Sequence, residues 1–379
     1  MSDRLLRRPA TTAAMLDTWS DDRIVAHALA FESALAEAQA KHGVIAREIA
    51  RSITDCCATS RIDPAAWADE AALAGTLAIP LVRFIRNAVP DAAKPSVHRG
   101  ATSQDVADSV MMMQVREGAR LITRDASRVM TALSSKAREH AATPTMGRTL
   151  LQDALPIALG LRIAQWHAGI AQARDMFADA VETHAVLQLG GPVGTRAAQG
   201  GNGAAIADDM AARLGLRAAP PWHARRNGPA SIAASLAMLI GAVGKMARDV
   251  ALMSQNAIGE AREPAVEGRG GSSAMAHKRN PTGCQTALSA AGRAPGLAAT
   301  MLGGLSAELE RGLGGWQAEA PVMAELFLLA AGALSAMADV AEGLEIDCSA
   351  LAGFVPEGPV DLGESAKLIE ALLTPGKEN

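Results

Sequence analysis

What most constrains this chain is a series of alanine-rich, apolar segments at helical spacing, with almost none of the alternating β-branched residues that would make strands. Between residues 229 and 260, Leu236, Ile240, Val243, Ala247, Val250 and Met253 recur at steps of three and four, which puts them on one face of a long helix. Gly241, Gly244 and the intervening alanines would let a neighbouring backbone come close. Residues 103–140 and 155–187 read as two more long helices, and 282–311 and 319–342 as a further pair. The expected fold class is therefore all-α, a long helical bundle with almost no strand. Towards the N-terminus, residues 17–41 read as an amphipathic helix that stops at Gly43, and Asp63-Pro64, Pro80 and Pro90 punctuate shorter helices. With 379 residues to place, the chain divides into an N-terminal helical domain (1–95), a central long-helix bundle (96–342) and a shortened C-terminal segment (343–379). Apolar faces this long exceed what one protomer covers, so a homo-oligomer is expected.

Composition removes several classes of function. The four cysteines, Cys56, Cys57, Cys284 and Cys348, lack metal-ligand spacing and read as reduced thiols, so neither a metal nor another cofactor is expected. Residues 1–9 carry Arg4, Arg7 and Arg8 without the apolar run of a signal peptide, and the apolar stretch 326–338 is too short to span a bilayer. These features predict a cytoplasmic protein with no membrane partner. A net charge of −4 with mixed signs, 3% aromatic residues and no tyrosine argue against nucleic acid as a partner. Cations can still cluster in a site for a small polyanion.

Three clusters carry candidate chemistry. The first is Gly271-Ser272-Ser273-Ala274-Met275-Ala276-His277-Lys278-Arg279-Asn280-Pro281, a loop hinged by Gly268, Gly270 and Gly271, with positive charge from Arg269, Lys278 and Arg279. Such a loop can close over an anion, and a serine in it can move a proton if an alkoxide is stabilised there. The second is His98-Arg99-Gly100-Ala101-Thr102-Ser103-Gln104-Asp105, at the start of a long helix. Thr102 or Ser103 can cap that helix, and the exposed amides of a helix start also bind carboxylates. The third is Gly147-Arg148-Thr149-Leu150-Leu151-Gln152-Asp153-Ala154-Leu155-Pro156. The glycine-rich stretch 190–203 lacks a preceding strand and a P-loop lysine, so it reads as a connector or substrate-edge loop.

From about residue 17 to residue 347 the chain resembles the fumarase/aspartase superfamily. The loop resembles the signature G-S-S-x-M-P-x-K-x-N-P, with Ala276 standing where the family has proline, and the second cluster resembles H-x-G-x-T-S-x-D. The third resembles G-R-T-H-L-Q-x-A-x-P, except that Leu150 occupies the histidine position. The resemblance implies a homotetramer of long-helix protomers whose active sites each gather clusters from three subunits. It implies Ser272 and Lys278 as catalytic residues, with His98, Thr102, Ser103, Arg226, His277 and Asn280 binding substrate. Arg148 is open between a carboxylate ligand and a structural ion pair, and His223 lies within a motif of its own.

Leu150 separates the branches of the superfamily. Lyases that expel an amine or hydroxide use a histidine here to assist proton transfer to a poor leaving group. A carboxylate has a pKa of about 4 and departs without a proton. Leu150 therefore suits the lactonising branch, where it would be an apolar wall beside a small tricarboxylate substrate. Gln104, the Pro221-Trp222-His223 and Arg226 group, 267–271 and Trp316-Gln317-Ala318-Glu319 resemble that branch as well. The alternatives are an elimination enzyme acting on adenylosuccinate and a helical scaffold that has lost activity.

Overall fold

The computed structural model describes residues 4–271, 274–275 and 278–374. Short helices α1 (Arg4–Arg7) and α2 (Ala13–Thr18) lead into α3 (Asp21–Lys41), α4 (Arg47–Thr59), α5 (Pro64–Ala74) and α6 (Ala78–Ala88). The long α7 (Ser103–Glu139) is followed by a hairpin, β1 (Pro144–Thr149) and β2 (Gln152–Ala158), and the chain returns as α8 (Leu159–His184). After α9 (Gly203–Arg213) come α10 (Asn227–Met253), β3 (Ala261–Arg262), α11 (Thr282–Gly303) and α12 (Glu319–Glu342). The chain then forms β4 (Glu345–Ile346), α13 (Cys348–Ala352) and α14 (Ser365–Leu373).

The long helices alternate in direction, which gives the bundle two ends. At the first end the starts of α7, α10 and α12 meet, since Arg226 is bonded to both Asp108 and Glu319. The segment after α8 joins them there, because Ser109 Oγ donates to the Gln188 carbonyl. At the second end Gly160 N–H donates to the His140 carbonyl, tying the start of α8 to the end of α7. Arg128 of α7 pairs there with Glu342 near the end of α12.

Small residues make this packing possible. A Cβ on Gly244 of α10 would come within 2.6 Å of the Ala291 methyl on α11, and one on Gly118 of α7 within 2.6 Å of the Phe327 ring. Phe327 is the centre of an aromatic cluster, 5.4 Å from Trp19 and 5.9 Å from Phe177 between ring centroids. α12 buries Met323, Leu326, Phe327, Leu329, Leu334 and Met337, so it reads as apolar all round.

Several expected boundaries move for identifiable reasons. The helix expected over 17–41 is interrupted at Ser20, whose hydroxyl accepts the Arg23 N–H and starts α3 afresh. The helix expected over 155–187 begins only at Leu159, because residues 152–158 pair with 144–149 in an antiparallel hairpin. Pro156 has no N–H to give a helix and biases Leu155 towards an extended backbone. α10 and α11 also stop short of the expected 260 and 311. The fold is helical, as its pattern requires, with two small antiparallel strand pairs among the described residues. The apolar stretch 326–338 belongs to a longer apolar helix: Asn227–Met253 and Trp316–Glu342 each have the length and composition to cross a membrane. In both, 61% of the most apolar window is buried within the bundle. All four cysteines are free.

Candidate active site

At the first end, Asp105 organises the start of α7. It is fully buried and accepts the Thr102 N–H at 3.0 Å and the N–H groups of Gly190 and Gly191 at 2.9 Å each. His223 Nε2 lies 2.8 Å from the same carboxylate, which gives His223 a structural role. The connector 190–203 is thereby fastened to the helix start. Thr102 Oγ1 accepts a hydrogen bond from Arg311 at 3.0 Å, and Arg311 also donates to the Pro192 carbonyl at 3.1 Å. Thr102 and Ser103 are half-buried. A helix start with a guanidinium beside it is electropositive and suits a carboxylate. Arg311 escaped the sequence analysis because it sits in the loop between α11 and α12, apart from any of the three clusters.

His98 stands four residues before Thr102, with its Nδ1 2.6 Å from Oε1 of Glu32, a buried residue in the middle of α3. Burial lowers the pKa of His98, but the Glu32 carboxylate outweighs it and the net shift is upward. Gln39 Nε2 donates to the Arg99 carbonyl at 2.7 Å, and Gln199 Nε2 donates to the same oxygen at 3.3 Å, so the turn is held from two sides.

Arg226 requires a correction. It was expected to bind substrate, yet it is 1% exposed and its guanidinium is bonded to two carboxylates. Nε and Nη2 donate to Glu319 at 2.9 and 2.5 Å, and Nη1 and Nη2 donate to Asp108 at 2.8 Å each. Trp222 stacks on it at 4.7 Å. Burial opposes the charge, but Asp108 and Glu319 outweigh it and raise the pKa of Arg226 further. Burial also pushes the Glu319 carboxyl upward, with Arg226 pulling it down. Arg226 therefore locks α7, α10 and α12 together. Arg226→Met is expected to destabilise the fold by about 3–5 kcal/mol in denaturant unfolding, because two buried carboxylates lose their cation. Replacing Asp108 and Glu319 with leucine in the same chain should recover most of the loss; failure to recover would argue against an electrostatic cause.

The second end holds the other two clusters. Gly270 has φ 71°, and its loop is closed at the neck by Asn280, whose N–H donates to the Gly270 carbonyl at 2.8 Å and whose Nδ2 donates to the Gly271 carbonyl at 3.3 Å. A Cβ on Gly270 would lie 2.5 Å from the Asn280 carbonyl oxygen. Asn280 thus has a positioning role in the protomer. Ser272, Ser273, Ala276 and His277 lie outside the described residues. Of the three cations expected to face an anion, Arg269 pairs with Asp339 and Arg279 with Glu345, so both anchor the loop. Lys278 is exposed.

In the hairpin, Arg148 takes the structural alternative. Its Nη1 and Nη2 donate to the fully buried Glu260 at 2.9 and 2.7 Å, and its Nε donates to Asp153 at 3.0 Å. Leu150 and Leu151 form the turn, both with left-handed backbones (φ 52° and 64°), and are 96% and 73% exposed. Within one protomer Leu150 walls no site.

The clusters do not meet inside one protomer. Arg269, in the signature loop, shares Asp339 with Arg128, which lies on α7 26 residues beyond Thr102. At 1.5 Å of rise per residue, the loop sits about 40 Å along α7 from the Thr102 and Ser103 cluster.

A family model described as lyase matches residues 7–296. A 3-carboxy-cis,cis-muconate cycloisomerase of Bradyrhizobium diazoefficiens is 42% identical over 349 residues, covering 91% of this chain and 77% of that protein. A protein of the same name from Pseudomonas aeruginosa is 41% identical over 340 residues, covering 88% and 74%. The solved structure of the 3-carboxy-cis,cis-muconate lactonizing enzyme from Pseudomonas putida superposes with a TM-score of 0.86 at 35% identity, covering 92% of this chain and 78% of that one.

Proposed function

This chain belongs to the lyase family within the fumarase/aspartase superfamily, and from that premise we propose that it lactonises 3-carboxy-cis,cis-muconate to 4-carboxymuconolactone. The observation that carries the reading is Leu150, an apolar side chain where the superfamily motif it resembles has a histidine that assists the loss of amines or hydroxide. The names borne by the relatives point the same way. The reaction is an isomerisation. One carboxylate oxygen adds to the conjugated diene and forms the C–O bond of the lactone. The displaced electron pair moves into the neighbouring carboxylate as an enediolate, and a proton then neutralises the adjacent carbon. No electrons are exchanged with a partner, so the reaction calls for no redox cofactor.

In this reading His98, Thr102, Ser103 and Arg311 hold substrate carboxylates at the helix start. Lys278 stabilises the enediolate, which is the largest electrostatic task, and Ser272 delivers the proton. His277 is a further substrate ligand, and Leu150 desolvates the diene. The separation of about 40 Å along α7 supports a site that combines clusters from different subunits, and we propose a homotetramer. A cytoplasmic enzyme of protocatechuate breakdown through the β-ketoadipate pathway fits this chemistry. Purified protein mixed with 3-carboxy-cis,cis-muconate is expected to convert the vinylic proton signals to those of the lactone by NMR. Untouched muconate, together with cleavage of adenylosuccinate, would overturn the assignment in favour of amine elimination.

A further inference from the structure

We propose that Glu32 is a positioning residue: from the middle of α3 it holds His98 by Nδ1 in the imidazolium form, leaving Nε2–H to donate to a substrate carboxylate beside the Thr102 and Ser103 helix start. The inference rests on the function proposed above and adds to it a residue outside the three sequence clusters.

Two costs fall at this one contact. Glu32 is 1% exposed, and its Oε2 is a buried oxygen with no hydrogen-bond partner among the described residues. Its ion partner is His98, at 2.6 Å through Oε1. A buried carboxylate with half of its acceptor capacity unused is costly, and a glutamine or an apolar residue would fill the position at lower cost if packing were the only requirement. His98 is itself held at φ 60°, a left-handed backbone that strains a residue with a side chain. The strained turn is over-determined by Gln39 and Gln199, which both bond the Arg99 carbonyl. Strain at His98 and a buried, half-satisfied charge at its partner Glu32 mark a site where geometry serves binding.

The groups around the ring set its charge. Glu32 from α3 and Asp105 from α7 favour the imidazolium, and Arg86 from α6 opposes it. Cys57 from α4 also feels Glu32, but burial pushes its thiol up to about 12, so it stays neutral at working pH. Because the folded pKa of His98 lies above the ordinary imidazole value, the stabilisation from the pair is complete below that ordinary value. It is lost as pH rises through the folded pKa. Carboxylate binding at Nε2 should fade over the same interval.

The test uses the full chain labelled at histidine Cε1, with the His98 signal identified by its absence in His98→Gln. In the wild type His98 is expected to titrate above a free imidazole, and in Glu32→Gln at or below it. With 3-carboxy-cis,cis-muconate, Glu32→Gln should raise KM about tenfold near neutral pH and leave kcat within about threefold, the pattern of a lost binding contact. Glu32→Asp keeps the charge at shorter reach and should fall between the two, which covers poor folding of the glutamine variant. A wild-type His98 that titrates at or below free imidazole, or the same titration in wild type and Glu32→Gln, would overturn the proposal. So would a loss confined to kcat. If the His98 titration shifts as expected but wild type leaves the muconate untouched, the assigned substrate fails while the Glu32 and His98 linkage stands.

Discussion

Turnover of Ser272→Ala is expected to fall by about a hundredfold or more, the usual scale for removing a proton-transfer group. The fall should appear in kcat, because in the proposed mechanism other residues hold the carboxylates of the substrate and KM has little reason to move. Thermal stability should hold, since the neck of the loop is closed by backbone and side-chain bonds of Asn280. Arg269 before the loop and Arg279 near its end are anchored to Asp339 and Glu345. Ser273→Ala should be milder. Equal turnover by wild type and the Ser272 variant would remove this hydroxyl from the mechanism.

The second large effect is a gain. A variant carrying Thr102→Ala with Ser103→Ala and a variant carrying Lys278→Ala should each be nearly inactive. Unfolded together and refolded as an equal mixture, they should recover activity, because the first supplies an intact loop and the second an intact helix start. If each site draws the two clusters from different subunits, random assembly makes about a quarter of the sites fully native. Activity near that fraction of wild type, appearing only in the mixture, is the expected result. No recovery, together with an active monomer by light scattering, would mean that the clusters meet by some route other than assembly.

The sequence was most legible where its information is local. α12 occupies the expected residues 319–342, since its apolar run is dense and Gly343 follows it. The start of α7 at Ser103 was legible from the Thr102-Ser103 pair, which can cap a helix. The hairpin over 144–158 was not, because Leu155, Ile157 and Ala158 continue smoothly into the helical pattern of α8, and strand pairing is a relation between segments that periodicity does not register. For the site, motif position marked Arg226 as special but misjudged its task. Its carboxylate partners lie 118 and 93 residues away, on other helices, and nothing near Arg226 in sequence announces them. Arg311 and Glu32 were missed for the same reason: each acquires its role from a neighbour brought close only by folding.

The turn at Leu150 and Leu151 bears on how this protein is free to change. Two-residue hairpin turns with positive φ at both positions favour Asn-Gly, and each leucine held there costs roughly 1–2 kcal/mol. Both leucines also face water in the isolated protomer. Selection acting on protomer stability alone would drift towards Asn-Gly, the cheapest solution to the turn. A leucine pair at this tip is explained if fitness is read from the proposed tetramer, in which the tip would gain neighbours. Laboratory evolution for heat resistance of the separate chain would therefore find its gains at this tip and erode catalysis as it did so, whereas selection on turnover would keep the strained pair.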